Sequence, residues 1–205
     1  AGAGDSPQWG ALHTRNMVSP ETGLPVNFDP ATGLNVKWVA PLGDNAYASP
    51  VIAGGKVLIG ANNAKPRDPA ITGDYAVLLC LNEADGSLLW QFATPRIGGD
   101  DYLDWPFIGL CSPPSVEEGR IYTVTNRYEA VCLDLEGKDG APHVRWRFDM
   151  PAVVGMYPHD AAHASILIDG PCLYLNTCNG VDNTHAVIRS PDAPSLIALE
   201  KATGR

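Results

Sequence analysis

The sequence predicts an all-β fold, a β-propeller built from four-stranded antiparallel blades, of which this chain supplies about three, roughly half of a closed ring. Three observations predict it. The first is a phrase written repeatedly: DPATGLNVKW ends at Trp38, NEADGSLLW at Trp90, DLEGKDGAPHVRW at Trp146, and EKATGR begins it again at the last residues. Trp38 to Trp90 spans 52 positions and Trp90 to Trp146 spans 56, just above the period of one propeller blade. The second is composition, since 21 Gly and 18 Pro in 205 residues, with 45% hydrophobic and 18% charged content, suit short strands joined by many turns. The third is a tight turn ahead of each later phrase, at Gly55, Gly119 and Gly170, where φ > 0 is easiest for glycine.

Laying the repeats over one another orders the elements. Residues 1–25 form an N-terminal extension. Its first ten residues, AGAGDSPQWG, lack the basic and apolar regions of a signal peptide, and a start in small residues suits a mature secreted protein. Residues 26–42 read as terminal C and D strands, with Val36–Leu42 the D strand that carries Trp38. A blade follows over about 47–94. Its A strand covers Ala48–Ile52, AGGK turns it, Val57–Ala61 is B, Ala76–Leu81 is C, and the D strand holds Trp90. The blade over about 111–150 repeats the plan through EEGR, with Ala130–Leu135 as C and Trp146 on D. An incomplete blade over about 163–205 turns at IDGP, places its C strand at Leu196–Leu199 and stops inside its C–D turn. Trp38, Trp90 and Trp146, with the turn glycines Gly33, Gly86 and Gly204, are the expected blade-docking residues. Both ends of such a fragment expose strand edges and apolar faces, so a second polypeptide, the rest of a precursor or a symmetry mate, is expected to supply the remaining blades.

Charge and cysteine usage narrow the function classes. With 14 basic against 23 acidic residues the net charge is −9, which argues against a nucleic-acid partner. No apolar run reaches the roughly eighteen residues of a membrane span. The five cysteines show no CxxC or CxxCH spacing, so neither a zinc knuckle nor a c-type haem is supported. Cys80 and Cys132 occupy equivalent C-strand positions, where the third repeat has Ala198. They read as small buried strand residues not joined by a disulfide, because blades separate their Cα atoms beyond the ~7 Å limit.

The up-and-down blade plan also separates two faces. A–B and C–D turns fall on one face, and all are short. The long segments Asn62–Asp74, Pro95–Ser112, Pro151–Ala164 and Asn179–Pro194 are B–C loops or D–A crossovers, and they share the opposite face. Loops on a rigid scaffold are where binding residues gather. The candidate ligand-binding residues there are Asp104, Trp105, Arg127, His159, Asp160 and His163, expected to cluster around one end of the central channel. His159, Asp160 and His163 have donor atoms suited to a metal or a proton shuttle. With no third ligand at metal spacing, the plainer reading is a loop cap at His159 and a backbone bond at His163, and no metal site is assigned. Acidic Asp100, Asp101 and Asp104 beside Trp105 suit calcium, a sugar or a cationic peptide. The plainer alternative has Trp105 and Phe107 plugging the gap between blades. Arg127 is a cation facing the same mouth, Asn126 and Asn62 read as strand-end turn formers, and the segment with Asp182, His185 and Arg189 as a lid or partner contact. No catalytic constellation can be assigned.

The pattern SPxV…GGKVLIG…LLCLNEADGSLLW, over about Val26 to Arg205, resembles the repeat of the quinoprotein dehydrogenase-like (PQQ-like repeat) propellers, a superfamily that also includes non-enzymatic outer-membrane assembly lipoproteins. The enzymatic branch implies a pyrroloquinoline quinone sandwiched between a Trp and a disulfide of adjacent cysteines, with calcium held by carboxylate and amide groups near an Asp base. This chain has no adjacent cysteine pair. Cys111 stands alone in GLCSPPS, and Cys172 and Cys178, read as lying on one strand, would be about 20 Å apart. The chain is therefore closer to the non-catalytic type: a periplasmic or secreted binding or assembly propeller, with a protein or peptide partner at the loop face. The alternative is a PQQ- and calcium-dependent redox enzyme whose cofactor residues lie mostly outside this chain.

Overall fold

The computed structural model describes residues 4–160 and 162–205. Apolar residues concentrate in short runs that become strands, the B and C strands of blades 1 and 2 buried on both faces and the outer D strands alternating. Blade 1 is β1 (Val51–Ala53), β2 (Lys56–Asn62), β3 (Tyr75–Asn82) and β4 (Leu88–Pro95); blade 2 is β5 (Ser115–Glu117), β6 (Arg120–Val124), β7 (Glu129–Asp134) and β8 (Val144–Asp149). Blade 3 is β9 (Leu167–Asp169), β10 (Cys172–Asn176) and β11 (Leu196–Glu200). Within each sheet consecutive strands pair antiparallel in sequence order. Three consecutive up-and-down sheets packed face to face are a partial β-propeller. The repeat is reproduced in the register: Cys80 pairs Trp90 and Cys132 pairs Trp146, and a bulge follows directly in both blades. That bulge increases the local twist of the outer strand.

The core is two inter-blade layers and one covered outer face. Between blades 1 and 2, Leu58, Leu78 and Cys80 pack on Ile121, Val131 and Leu133. Between blades 2 and 3, Tyr122, Ala130 and Cys132 pack on Ile166, Leu173 and Leu199. The other face of blade 1, with Ile59, Val77 and Leu79, is covered by Trp38, Ala40 and Leu42. Cys80, Cys111 and Cys132 are buried and all five thiols are free; burial pushes Cys80 and Cys111 up to about 12. They are packing residues.

The structure corrects the element plan at three places. Val36–Leu42 is not a strand. The segment alternates half-buried and exposed residues, but among the described residues no C strand lies beside it to complete a ladder. Just upstream, Asp29 and Leu34 form an isolated bridge. The crossover after β8 begins with a one-turn helix, α1 (Met150–Val154), which the sequence left as loop. Asp149 caps it by accepting from the Ala152 N–H, Pro151 sits in its first turn, and Gly155 ends it at φ 67°. Cys178 lies beyond β10, in the left-handed region at φ 60°, so it does not share a strand with Cys172.

The docking residues work in a specific geometry. The ring of one blade rests on the C–D turn glycine of the next. A Cβ at Gly86 would lie 2.6 Å from Trp38 Cε3, and one at Gly204 would lie 2.5 Å from Trp146 Cε3. The indole N–H groups then donate across the blade boundary, Trp38 to Glu83 O at 2.9 Å and Trp146 to Lys201 O at 3.2 Å. Trp90 is the exception. The blade 2 turn is longer and places a different glycine at its pyrrole edge, a Cβ at Gly137 lying 3.1 Å from Trp90 Cδ1 and Nε1. Its N–H has no partner among the described residues. No ring among the described residues lies over Gly33, where a Cβ would meet open space.

Candidate functional site

The crossover from β4 to β5 is fastened by asparagines at the ends of two B strands. Asn62, buried at the end of β2, donates to Phe107 O at 2.6 Å and accepts from the Asp44 N–H at 3.0 Å. Asn126, just past β6, donates to Asp104 Oδ2 at 2.7 Å and to Pro95 O at 3.1 Å, and accepts from Thr94 Oγ1 at 2.6 Å. The residues read as turn formers are staples between loop and blade. A buried amide with all its bonds made is rigid, because breaking any one strands a polar group.

Asp104 is held at the centre of this crossover. Its Oδ2 accepts from the Ile97 N–H at 2.8 Å as well as from Asn126, and its own carbonyl accepts from Arg96 Nε at 2.7 Å. Burial raises its carboxyl above the ordinary carboxylate value, opposed by these two bonds from Ile97 and Asn126. Asp104 is therefore an internal brace. Trp105 and Phe107, just after it, are 51% and 42% exposed; they do not plug the gap between blades but lie on the loop surface.

The second crossover joins the first through Tyr128. This residue is fully buried, with φ 59°, and its hydroxyl donates toward the carbonyls of Leu103 and Asp160. Burial drives its phenol well above the usual tyrosine value. Next along, the Tyr102 hydroxyl meets His159 Nδ1 and donates to Val181 O at 3.1 Å, and His159 Nδ1 lies 3.2 Å from the same carbonyl. Tyr102, His159 and His185 stand edge-on to one another, with ring centres 5.5 Å apart for Tyr102–His159, 5.8 Å for Tyr102–His185 and 5.5 Å for His159–His185. Asp182 anchors the last loop. It accepts from Thr184 Oγ1 at 2.5 Å and Arg189 Nε at 3.2 Å, and these partners hold its carboxyl below the ordinary value.

Asp104, His159 and Asp160 are thus drawn into one connected network running through Asn126, Tyr128 and Tyr102. Arg127 follows Asn126 but is exposed, reaching Pro95 O at 3.4 Å, with no carboxylate paired to it among the described residues. His163 is exposed, and its backbone N–H faces the Cys178 sulfur. Tyr102 and Tyr128 are the residues that sequence reasoning passed over, and His185, expected in a lid or partner-contact loop, instead joins the ring cluster with Tyr102 and His159. Tyr102 and His185 come from segments 83 positions apart, with no local pattern linking them. Five residues of this face, Phe107, Tyr128, Asp160, Cys178 and His185, have φ between 53° and 60°, a region costly for side chains of this size.

No group of three or more His, Cys, Asp or Glu with metal-binding geometry occurs among the described residues. The residues present do not fit a quinone and calcium. None of the five cysteines adjoins another in sequence, and the Asp104 and Asn126 oxygens described above are turned onto Ile97, Asn126 and Thr94.

No protein-family model matches the chain, and no curated protein matches it. Solved structures do. BamB from Moraxella catarrhalis aligns with 18% identity over 68% of this chain and 33% of that chain, at a TM-score of 0.40. The quinohemoprotein alcohol dehydrogenase ADHIIG from Pseudomonas putida HK5 aligns with 14% identity over 82% of this chain and 21% of that chain, at a TM-score of 0.48. The chain spans about a third and a fifth of the lengths of these two.

Proposed function

We propose that this chain is part of a non-catalytic, extracytoplasmic β-propeller, periplasmic or secreted, that acts as a binding or assembly scaffold through its long-loop face. The observation that carries this reading is the network on that face. Loops from three blades are fastened by buried side-chain bonds at Asn62, Asn126 and Tyr128, and they present Trp105, Phe107, Arg127 and His163 to solvent. A surface whose aromatic and charged groups are ordered beforehand loses little entropy on association, and exposed aromatics with an adjacent cation suit a protein or peptide partner. No helix among the described residues is long and apolar enough to cross a membrane. The remaining blades come from another polypeptide or from another stretch of a longer one.

The test uses the complete protein with a photo-crosslinking residue at position 105 on the loop face or at position 89 on the turn face. Cross-links to a protein partner from 105 and none from 89 support the proposal, and the reverse pattern contradicts it. Dye-linked alcohol oxidation on addition of pyrroloquinoline quinone and calcium would overturn the non-catalytic reading in favour of a redox enzyme.

A further inference from the structure

The innermost strand of each blade presents one unpaired edge toward the propeller axis, and here those edges are not bare. The N-terminal segment runs across all three. Ser6 forms an antiparallel bridge with Ile52 of β1, Ser6 N–H to Ile52 O at 2.8 Å and Ile52 N–H to Ser6 O at 3.0 Å. Pro7 O then accepts from the Val116 N–H of β5 at 2.6 Å. Arg15 ends the path at blade 3, just ahead of β9, donating through Nη2 to Ile166 O at 2.7 Å and through Nη1 to Ser165 Oγ at 3.2 Å. Gln8 lies buried between, donating back to Ala11 O at 2.9 Å. Partial burial lowers the Arg15 guanidinium from its usual value.

The attachment is made of hydrogen bonds. No residue of this segment belongs to the hydrophobic clusters between or over the blades, and Ser6, Trp9 and Leu12 are exposed. Segments held by a few main-chain bonds without core packing open at lower free energy than the sheets they lie on. An unpaired strand edge is the surface to which an extended peptide adds.

We propose that Asp5–Arg15, joined to β1 and β5 through Ser6 and Pro7 and folded back in turns from Gln8 to Thr14, is a detachable strap over the axis-side edges of the blades, and that a peptide with the same small residue–proline pair, a turn-forming stretch and an arginine nine positions after the small residue fits the same site when the strap lifts. The site lies on different elements from the long-loop face and stands whether or not that face binds a partner.

Hydrogen exchange read at single amides tests it in the full chain, since Ile52 and Val116 have the strap as their partner, whereas Leu58 and Leu78 bond within blade 1. In Ser6→Pro, which removes one bridge donor, and in Arg15→Ala, Ile52 and Val116 are expected to exchange at least 10-fold faster, with Leu58 and Leu78 changing less than 2-fold. Arg15→Lys keeps the charge without the two-pronged contact and is expected to fall between. A synthetic peptide of residues 4–16, added in excess to Ser6→Pro, is expected to restore protection at Ile52 and Val116. Unchanged exchange at those two amides, equal loss of protection throughout blade 1, or no restoration by the peptide would each overturn the proposal.

Discussion

At the scale of single residues, the molecule rests on close contacts that tolerate no added atom and on two buried carboxylates, Asp104 and Asp182. Gly86 combines φ 74° with the Trp38 ring at 2.6 Å from its Cβ position. Gly86→Ala is therefore expected to lose about 1–3 kcal/mol of stability through strain and displaced packing, read as a lower urea midpoint. Gly33→Ala, with equal strain at φ 78° but open space around it, should lose less, and equal losses would contradict the docking role. Asp104 gives a pH prediction. Its folded carboxyl titrates above the unfolded value, so the native state holds the proton more tightly and stability falls as pH rises from the unfolded pKa through the folded one. Asp104→Asn removes that titration, and the slope of stability against pH just above the ordinary carboxylate value should flatten. A slope identical to the parent's would show that the burial of Asp104 does not set it.

At the scale of elements, the crossovers are held by hydroxyl and amide groups more than by apolar packing. Tyr128→Phe keeps the ring and removes the donor shared by the Leu103 and Asp160 carbonyls. The expected loss is about 1–3 kcal/mol, with faster hydrogen exchange over 96–114 and 155–160 and little change in β6 and β7; uniform change would contradict the joining of the two loops. This scale also shows what the sequence reveals. Strands β2, β3, β6 and β7 were legible because their apolar runs and turn glycines are local signals, and the Trp phrase because it recurs along the chain, although Trp90 docks differently from Trp38 and Trp146. The segment Val36–Leu42 has the alternation of a strand, but pairing depends on a neighbour that no local pattern guarantees. Helix α1 was missed because its one turn has only a cap and a proline to announce it. The loop network was legible in part. Its long segments stand out by length and composition, but the meeting of Tyr102, His159 and His185, and the strap across β1 and β5, depend on how blades stack in space.

At the scale of the whole molecule, the third blade shows why further blades are proposed. Leu58, Tyr122 and Tyr174 occupy the same register, paired with Cys80, Cys132 and Ala198. Leu58 and Tyr122 are buried under the next blade, whereas Tyr174 is 37% exposed. The equivalents Leu78 and Ala130 are likewise buried and Leu196 is 67% exposed. Apolar side chains at docking positions, beside the outer edge of β11 that pairs with no strand among the described residues, form the surface on which further blades are proposed to pack. Sedimentation velocity of the 205-residue chain tests this most directly. The account predicts concentration-dependent association above the 21.8 kDa monomer, reduced by Leu196→Lys without loss of β-type circular dichroism. A monodisperse 21.8 kDa species at all concentrations, unfolding in one cooperative transition and indifferent to Leu196→Lys, would contradict it.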